Sequence, residues 1–268
     1  MELDSDYRNN SSKTVDKALR LLQLVATNNA PVTVTRAAEL LGTSPAVTHR
    51  LLQSLTKSGW LIQNESRAYA LGPTVLEVAQ HYLNDLDIRQ RCRPLLGEVR
   101  NMSGETTCLF IKQGNNRVLI DYAWSQFDIA YVPQIGETLP ITIGATGRAY
   151  LSTLSEGARR QLLTQLLAEP NNRGYRHPLD IEDALQLIED GKQRGYFESI
   201  SERIPGMASA AFPIVNDRGS LIATISVIGP SDRWTKDRIS EVCPAIAKKV
   251  SSYRNLTFQL NSYSDHVS

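Results

Sequence analysis

A short polar face in the segment TSPAVTHRLLQSLTKSG holds side chains whose types and spacing suggest a definite chemistry. Helical periodicity places Ala46, His49, Gln53 and Thr56 on that face, with Arg50 at its shoulder. These side chains are small or can form hydrogen bonds, which suits them to contact base edges in the major groove of DNA. The opposite face is apolar, so we expect it to pack against a protein core.

The run Gly144-Ala145-Thr146-Gly147 leads into a predicted helix and suggests a second kind of site. Small residues leave the backbone N–H groups of a helix N-terminus open, and the partial positive charge there favours a carboxylate. Thr146 adds a hydroxyl donor. The run is not a phosphate-binding P-loop, because no Gly-Lys-Ser/Thr sequence ends it. The alternative interpretation is that its glycines only allow a helix to pack tightly on a sheet.

The sequence predicts neither a metal centre nor a catalytic constellation. The three cysteines and four histidines are scattered, with no CxxC arrangement and no metal-ligand spacing. The GxSxG, HExxH and Walker A motifs are also absent from the sequence. We therefore predict no cofactor, no metal and no enzymatic activity, and we expect Cys92, Cys108 and Cys243 to be buried, unreactive thiols.

Length and composition limit the class of protein. A chain of 268 residues, 41% of them hydrophobic, exceeds the usual length of one domain and can bury two cores. No apolar run approaches the roughly 20 residues that a bilayer span needs. The polar, acidic first residues do not form a signal peptide. The expectation is a cytoplasmic protein without membrane contact.

Charge is distributed unevenly along the chain. The formal net charge is +1, but residues 13–72 carry +4, whereas residues 1–12 carry −2 and residues 73–268 carry −1. A basic segment joined to a nearly neutral remainder indicates a nucleic-acid-binding domain attached to a domain with another role.

Three amphipathic helices are predicted in the basic segment. The second, in VTVTRAAELLG, can be capped by Thr33 or Thr35 and ends at Gly42. The third has Ser44 as its N-cap and Pro45 as its first helical residue. Two short helices joined through a glycine-containing turn form a helix-turn-helix.

A β-hairpin is predicted directly after the third helix. The β-prone runs WLIQ and AYAL flank a polar turn at 64–67, so the hairpin forms a wing with Arg67 at its tip. Helix-turn-helix pairs also occur in proteins that never bind DNA, so protein contacts remain the alternative use of this domain. The predicted DNA-contacting residues are Thr35, Arg36, Ser44, Pro45, Ala46, His49, Arg50, Gln53 and Arg67.

The remainder of the chain is predicted to be an α+β domain. A linker helix over 74–88 is followed by a helix with Pro94 in its opening turn. Strand periodicity appears in TTCLFIK, RVLIDYA, FDIAYVPQ, ASAAFPIV and LIATISVIG, and helices are predicted near 145–154, 156–168, 179–193 and 235–259. Hairpin-connected strands with helices grouped elsewhere indicate an antiparallel sheet.

Motifs in both halves resemble the IclR family of bacterial transcription regulators. They are TVDKALRLLQLVA, THRLLQSL, GWLIQ and YALGPTVLEVA, then GETLPITIGATGRAYL and GYFESISERIPGMASAAFPIVNDRGSLIATISVIGP. The resemblance implies an N-terminal winged helix-turn-helix, a linker helix and a C-terminal GAF-like effector domain. It also implies a homodimer or dimer of dimers on double-stranded operator DNA and a small organic effector, often an aromatic or aliphatic acid.

Matching the family's effector positions residue by residue gives Ala145, Thr146, Ser199, Ser209 and Ser226, to which the glycine-rich run adds Gly147. Family members that bind small keto acids have an acidic residue in place of Ser199 and a cysteine in place of Ser209. A ligand such as pyruvate is therefore not expected, and the serines suit a larger polar ligand. Candidate cavity walls, each with ordinary core packing as its alternative, are Leu109, Tyr122, Trp124, Tyr131, Tyr196 and Phe212.

These observations predict the following domains: a flexible acidic tail at 1–12, the winged helix-turn-helix at 13–73, the linker helix at 74–88, the effector-binding and oligomerisation domain at 89–260, and a flexible tail at 261–268. The predicted function is a ligand-responsive transcription regulator, repressor or activator, that senses an acidic or aromatic metabolite. A GAF-like sensor or scaffold is the alternative, and an enzyme is the less favoured one.

Overall fold

A computed structural model describes residues 12–28, 30, 32–167 and 180–255. The chain divides into two compact units between Asp85 and Leu86. Apart from Ser12, the two predicted tails lie outside the described residues, as does the end of the predicted last helix beyond residue 255.

The first unit has the predicted order of elements. Its helices and strands are α1 (Lys13–Thr27), α2 (Val34–Leu41), α3 (Pro45–Lys57), β1 (Leu61–Gln63), β2 (Tyr69–Leu71) and α4 (Pro73–Asp85). The Thr33 hydroxyl accepts a hydrogen bond from the Arg36 N–H at the start of α2, and Ser44 caps α3 in the same way. Gly42 ends α2 in the left-handed conformation, at φ 62°. The predicted caps and turn of the helix-turn-helix are confirmed.

A single apolar cluster joins the three helices to the hairpin of the first unit. Leu21 of α1, Leu52 of α3 and Leu61 of β1 are almost completely buried in it. The strands β1 and β2 pair antiparallel, and Tyr69 also bridges to Val32 ahead of α2. The hairpin is therefore attached to the helices rather than projecting alone. By contrast, α4 has no buried residue.

The second unit is built on one antiparallel sheet. Its elements are α5 (Asp87–Ser103), β3 (Thr106–Gln113), β4 (Asn116–Ala123), β5 (Thr138–Pro140), α6 (Gly144–Leu151), α7 (Glu156–Leu167), α8 (Ile181–Arg194), β6 (Phe197–Ile200), β7 (Met207–Val215), β8 (Leu221–Pro230) and α9 (Lys236–Ser251), followed by a 3₁₀ turn at Ser252–Asn255. The strand order is β5-β4-β3-β8-β7-β6, with every neighbouring pair antiparallel. The α+β prediction is confirmed.

Helix α6 is the most enclosed element of the second unit. All seven residues from Ala145 to Leu151 are buried. The helix contacts β6, β7, β8 and α8, and a core cluster that includes Ala149, Phe197 and Ala211 fills the space beneath it. Its N-terminus is thereby fixed over one end of the sheet.

The prediction of a strand at FDIAYVPQ is wrong. Residues 127–134 form no strand, and the sheet edge beside β4 is occupied by β5 instead. Carbonyl groups of the loop accept hydrogen bonds from side chains: the Ile129 oxygen from Arg233 Nη2 at 2.9 Å, and the Tyr131 oxygen from Thr106 Oγ1 at 3.0 Å. These bonds take the place of a strand ladder.

Pro94 is not in an opening turn, because α5 begins seven residues earlier at Asp87. The proline removes one helical hydrogen bond, but Ile88 and Cys92 are buried on the same face as Leu95 and Val99. Apolar burial on both sides of the proline keeps the helix continuous. The predicted linker helix corresponds to α4, which ends at Asp85. The four-residue strand β6 was not among the predicted elements.

The three cysteines are free and buried, as predicted. Burial raises the pKa of the Cys92 and Cys243 thiols from about 9 to about 12 and raises that of Cys108 as well. Because the thiolate is the reactive form, we expect iodoacetamide to leave the native protein unlabelled at pH 8 and to label all three cysteines after unfolding. Mass spectrometry of the intact protein measures this, and labelling at equal rates in both states would contradict it.

The same shifts make stability depend on alkaline pH. As pH rises through about 9, the unfolded chain releases thiol protons that the folded chain retains up to about pH 12. Proton release from the unfolded state favours unfolding, so the contribution of these groups to the free energy of unfolding should fall from about pH 9 upward.

Candidate functional site

The polar face of α3 lies on the surface of the first unit. Ala46, His49, Arg50 and Gln53 are exposed, whereas Leu52 on the other side of the helix is buried in the core. The structure therefore has α3 in the predicted orientation. A row of exposed side chains on a single helix can enter a major groove without steric hindrance from its own domain.

The other predicted contact residues of the helix-turn-helix are also exposed. Thr35 and Arg36 lie on α2, and Arg36 forms an exposed ion pair with Glu39 at 3.4 Å. Such a pair contributes little to stability, so a phosphate can compete for the guanidinium group. Ser44 and Pro45 are exposed at the start of α3, where Ser44 also serves as the cap.

The turn between β1 and β2 presents Arg67 in a fixed position. The Asn64 side chain accepts hydrogen bonds from Ser66 Oγ at 2.8 Å and from the Ala68 N–H at 2.9 Å. Arg67 has a left-handed backbone, at φ 60°, and an exposed side chain. All seven basic residues of 13–72 are likewise exposed. Positive charge is thus available around α3 for contacts with phosphates.

A cavity in the second unit lies between the N-terminus of α6 and the sheet, and strand register explains its hydroxyl groups. Ser199 of β6 pairs directly opposite Ser209 of β7, which in turn lies opposite Ile228 of β8. Ser226 precedes Ile228 by two residues, so it faces the same side of the sheet. Register therefore gathers three serines that are far apart in the sequence.

Five of the six predicted effector residues line this cavity: Ala145, Thr146, Ser199, Ser209 and Ser226. The cavity has a volume of about 40 Å³. Gly147 is not among the lining residues. A side chain on it would lie 2.3 Å from the carbonyl oxygen of Ile141, so its role is close packing, the alternative left open by the sequence.

Arg117, Glu202 and Arg203 also line the cavity and were not singled out from the sequence. Arg117 is buried on β4, where it donates a hydrogen bond to the Pro140 carbonyl oxygen and lies over the Phe110 ring. The sequence feature that could have identified Arg117 is an arginine in the largely apolar strand sequence RVLIDYA. Its location beside α6 depends on strand order, which the sequence does not give.

Two ion pairs surround the cavity. Arg148 of α6 is buried, and its Nη2 lies 2.6 Å from Glu202 Oε1. Arg203 Nη1 lies 2.8 Å from Glu137 Oε1, and Arg203 Nη2 donates to the Tyr131 hydroxyl at 2.9 Å. Burial, together with the hydrogen bond to Glu137, raises the pKa of Tyr131 to about 12. That hydroxyl therefore stays protonated at neutral pH.

The six residues proposed from the sequence as cavity walls do not line this cavity. Successive strand residues point to opposite faces, so Leu109 and Phe212 face away from their neighbours Phe110 and Ala211. Phe212 packs against Tyr196 instead, with ring centroids 6.3 Å apart. The observed walls are Phe110, Leu139, Ile143, Ile204, Met207 and Ile228.

Two other kinds of site, a metal centre and a membrane span, are absent from the described ranges. No group of three or more His, Cys, Asp or Glu residues there could hold a metal ion. In the same part of the chain, no helix is both long and apolar enough to span a bilayer.

Comparisons with known proteins agree with the two-unit architecture. Residues 14–65 match the IclR helix-turn-helix domain, and residues 80–253 match the C-terminal domain described as bacterial transcriptional regulator IclR C-terminal. The HTH-type transcriptional regulator KipR of Bacillus subtilis is 30% identical over 241 residues, covering 90% of this chain and 94% of its own.

Solved structures show the same fold. An IclR transcriptional regulator from Alicyclobacillus acidocaldarius superposes with a TM-score of 0.75 at 22% identity, covering 91% of this chain and 99% of its own. An IclR homologue from Microbacterium hydrocarbonoxydans, solved with 4-hydroxybenzoate, has a TM-score of 0.71 at 18% identity and covers 90% of this chain and 98% of its own.

The relatives named here are regulators of transcription rather than enzymes, so neither the enzyme nor the scaffold alternative is favoured. The matched regions account for both units: a DNA-binding helix-turn-helix domain and an effector-binding domain. The chain belongs to the IclR family of bacterial transcriptional regulators.

Proposed function

We propose that this regulator reads operator DNA through α3 and that a small organic acid, aliphatic or aromatic, binds in the cavity beside α6. The observation that carries the proposal is the convergence at the cavity of the three serines, the buried Arg117 and the N-terminus of α6. Within the described residues, no side chain caps that N-terminus, so its N–H groups can donate hydrogen bonds to a carboxylate. The Microbacterium relative, which holds 4-hydroxybenzoate, supports an acid as ligand.

The DNA-binding part of the proposal assigns two roles. His49, Arg50 and Gln53 read base edges, and Ala46 allows close approach. Thr35, Arg36, Ser44, Pro45 and Arg67 position the domain on the sugar-phosphate backbone. We assign residues 13–73 to this domain, 74–88 to the linker helix and 89–260 to the GAF-like effector domain.

We propose that the protein acts in the cytoplasm as a homodimer or dimer of dimers, because an operator with two half-sites is contacted by two DNA-binding domains. The exposed apolar residues Leu76, Val78 and Tyr82 of α4, which has no buried residue, support contact with a second chain. Effector binding would change the population of arrangements that span both half-sites.

Replacing Gln53 or His49 by alanine is expected to relax preference at particular operator bases, at a loss on the order of 1–3 kcal/mol per contact. Replacing Arg67 by alanine should instead weaken binding to operator and random DNA alike and reduce the salt dependence. Fluorescence anisotropy at several salt concentrations, with single-base operator variants, separates the two patterns. Equal losses on operator and random DNA for all three variants would overturn the assigned roles.

The Thr146→Val substitution tests the cavity. It keeps the shape of the side chain but removes the hydroxyl, so it should weaken effector binding and leave operator affinity without effector unchanged. A thermal-shift screen of organic acids, followed by operator binding with each stabilising acid, identifies effectors for this comparison. Unchanged effector affinity in the variant would exclude Thr146 from the site.

A further inference from the structure

Ser226 places an unsatisfied hydroxyl group at the wall of the cavity. The residue is 0% exposed, and its Oγ has no hydrogen-bond partner among the described residues. Its cross-strand neighbours, Cys108 and Ala211, offer no oxygen or nitrogen on their side chains. Buried hydroxyls are nearly always hydrogen-bonded, because leaving one unpaired is unfavourable. A group that enters the cavity can supply the missing partner.

Two further hydroxyls lie on the same face of the sheet. Ser199 and Ser209 are directly opposite each other and line the cavity with Ser226. A serine hydroxyl both donates and accepts, whereas a carboxylate only accepts. A ligand hydroxyl can therefore bond to each serine as donor or as acceptor, whereas a carboxylate can use the serines only as donors.

The acid-binding end of the cavity is close to these serines. A Cβ atom placed on Gly144, the first residue of α6, would lie 4.0 Å from Arg117 Nη2 and 3.7 Å from Ser199 Oγ. The guanidinium group and the first serine are thus both close to a single point at the helix N-terminus. A molecule that contacts both needs its carboxylate and its hydroxyl only a few bonds apart.

The remaining walls are mostly aliphatic. Among the described residues that line the cavity, Phe110 is the one aromatic, and the guanidinium of Arg117 lies 5.8 Å from its centroid. An aromatic ligand would find no second ring to pack against. Leu139, Ile143 and Met207 fit an alkyl chain instead.

We infer that the effector is an aliphatic hydroxy acid, with its carboxylate at the α6 N-terminus and Arg117 and its hydroxyl groups at Ser199, Ser209 and Ser226. This inference rests on the proposed function, because it specifies the acid that the same cavity takes.

Calorimetric titration of the full-length protein with matched acids tests the inference. The pairs are propionate with glycerate and hexanoate with gluconate, and benzoate and 4-hydroxybenzoate represent aromatic acids. In at least one pair the hydroxylated acid should bind about tenfold or more tightly than its unsubstituted partner, and more tightly than either aromatic acid, because it alone carries an aliphatic hydroxyl within a few bonds of its carboxylate.

The Ser226→Ala variant should reduce that preference severalfold. Because the hydroxyl has no partner in the protein, its removal should leave the Tm of the ligand-free protein unchanged or higher. Ser220→Ala, at an exposed residue in the turn before β8, is the matched control and should alter neither quantity.

Each other result has a distinct meaning. Tighter binding of an unsubstituted or aromatic acid, an unaltered preference in Ser226→Ala, or a lower Tm of that ligand-free variant would overturn the inference and leave the proposed organic-acid site standing. If no acid of the panel binds, the proposed class of effector is wrong, and the hydroxy-acid inference fails with it.

Discussion

Replacing Leu52 by alanine is expected to destabilise the first unit by about 2–5 kcal/mol and to remove binding to DNA of every sequence. The side chain is 0% exposed and packs in the cluster that joins α1, α3 and β1. A domain of this size has little stability to spare, so the loss is a large part of its free energy of unfolding. Without that core, α3 has no fixed surface on which to present its polar face.

Denaturant unfolding, together with anisotropy on operator and random DNA, measures the effect. Leu40→Ala is the matched control, because Leu40 lies on α2 but is 48% exposed, and it should change stability little. Ligand binding in the second unit should persist in both variants, since that unit has its own core. Retained operator binding by the Leu52→Ala protein would contradict the assigned core.

Replacing Arg148 by methionine is expected to destabilise the second unit by about 3–5 kcal/mol. Arg148 is 6% exposed, and besides its contact with Glu202 it donates to the Glu198 carbonyl oxygen at 2.7 Å. Methionine fills a similar volume but carries no charge, so the carboxylate of Glu202 loses its ion pair with Arg148. Unfolding of this unit should shift to lower denaturant concentration, and any effector response should weaken with it.

The chain contains a matched control for the buried ion pair. Arg160 and Glu182 form the same type of pair between exposed side chains, so Arg160→Met should change stability little. Replacing Arg148 and Glu202 together by methionine should recover part of the loss, because both charges of the ion pair are then removed. Equal effects of Arg148→Met and Arg160→Met would show that burial of the first pair contributes nothing.

Local signals made the first unit predictable. Thr33, Gly42, Ser44 and Pro45 each act within one turn of their own position in the sequence, so their effects can be read directly. The exposed face of α3 follows from helical periodicity in the same way. Predicting these features requires no knowledge of tertiary contacts.

The second unit depended on contacts between distant segments. Residues 127–134 have the composition of a strand, yet the side chains of Arg233 and Thr106 bind their carbonyl groups, and neither interaction has a sequence signal. Pro94 is retained inside a helix because apolar positions on both sides of it are buried. In these cases tertiary packing outweighed local propensity.

The cavity was predictable in part. Resemblance to a family supplied Ala145, Thr146 and the serines, whereas strand order was needed to place Arg117 beside them. The two glycines of the run show the limit of interpreting a motif. Gly144 lines the cavity, whereas Gly147 makes room for the carbonyl oxygen of Ile141.

The enclosure of α6 has an evolutionary consequence. Every residue from Ala145 to Leu151 is buried, so almost any substitution in this helix disturbs a neighbour and must be compensated elsewhere. The strand positions 199, 209 and 226 instead line the cavity, so a change of side chain there acts first on the surface that meets the ligand. New ligand preferences are therefore expected to arise in descendants of this protein by substitutions in the sheet, while the sequence of the helix that faces it changes slowly.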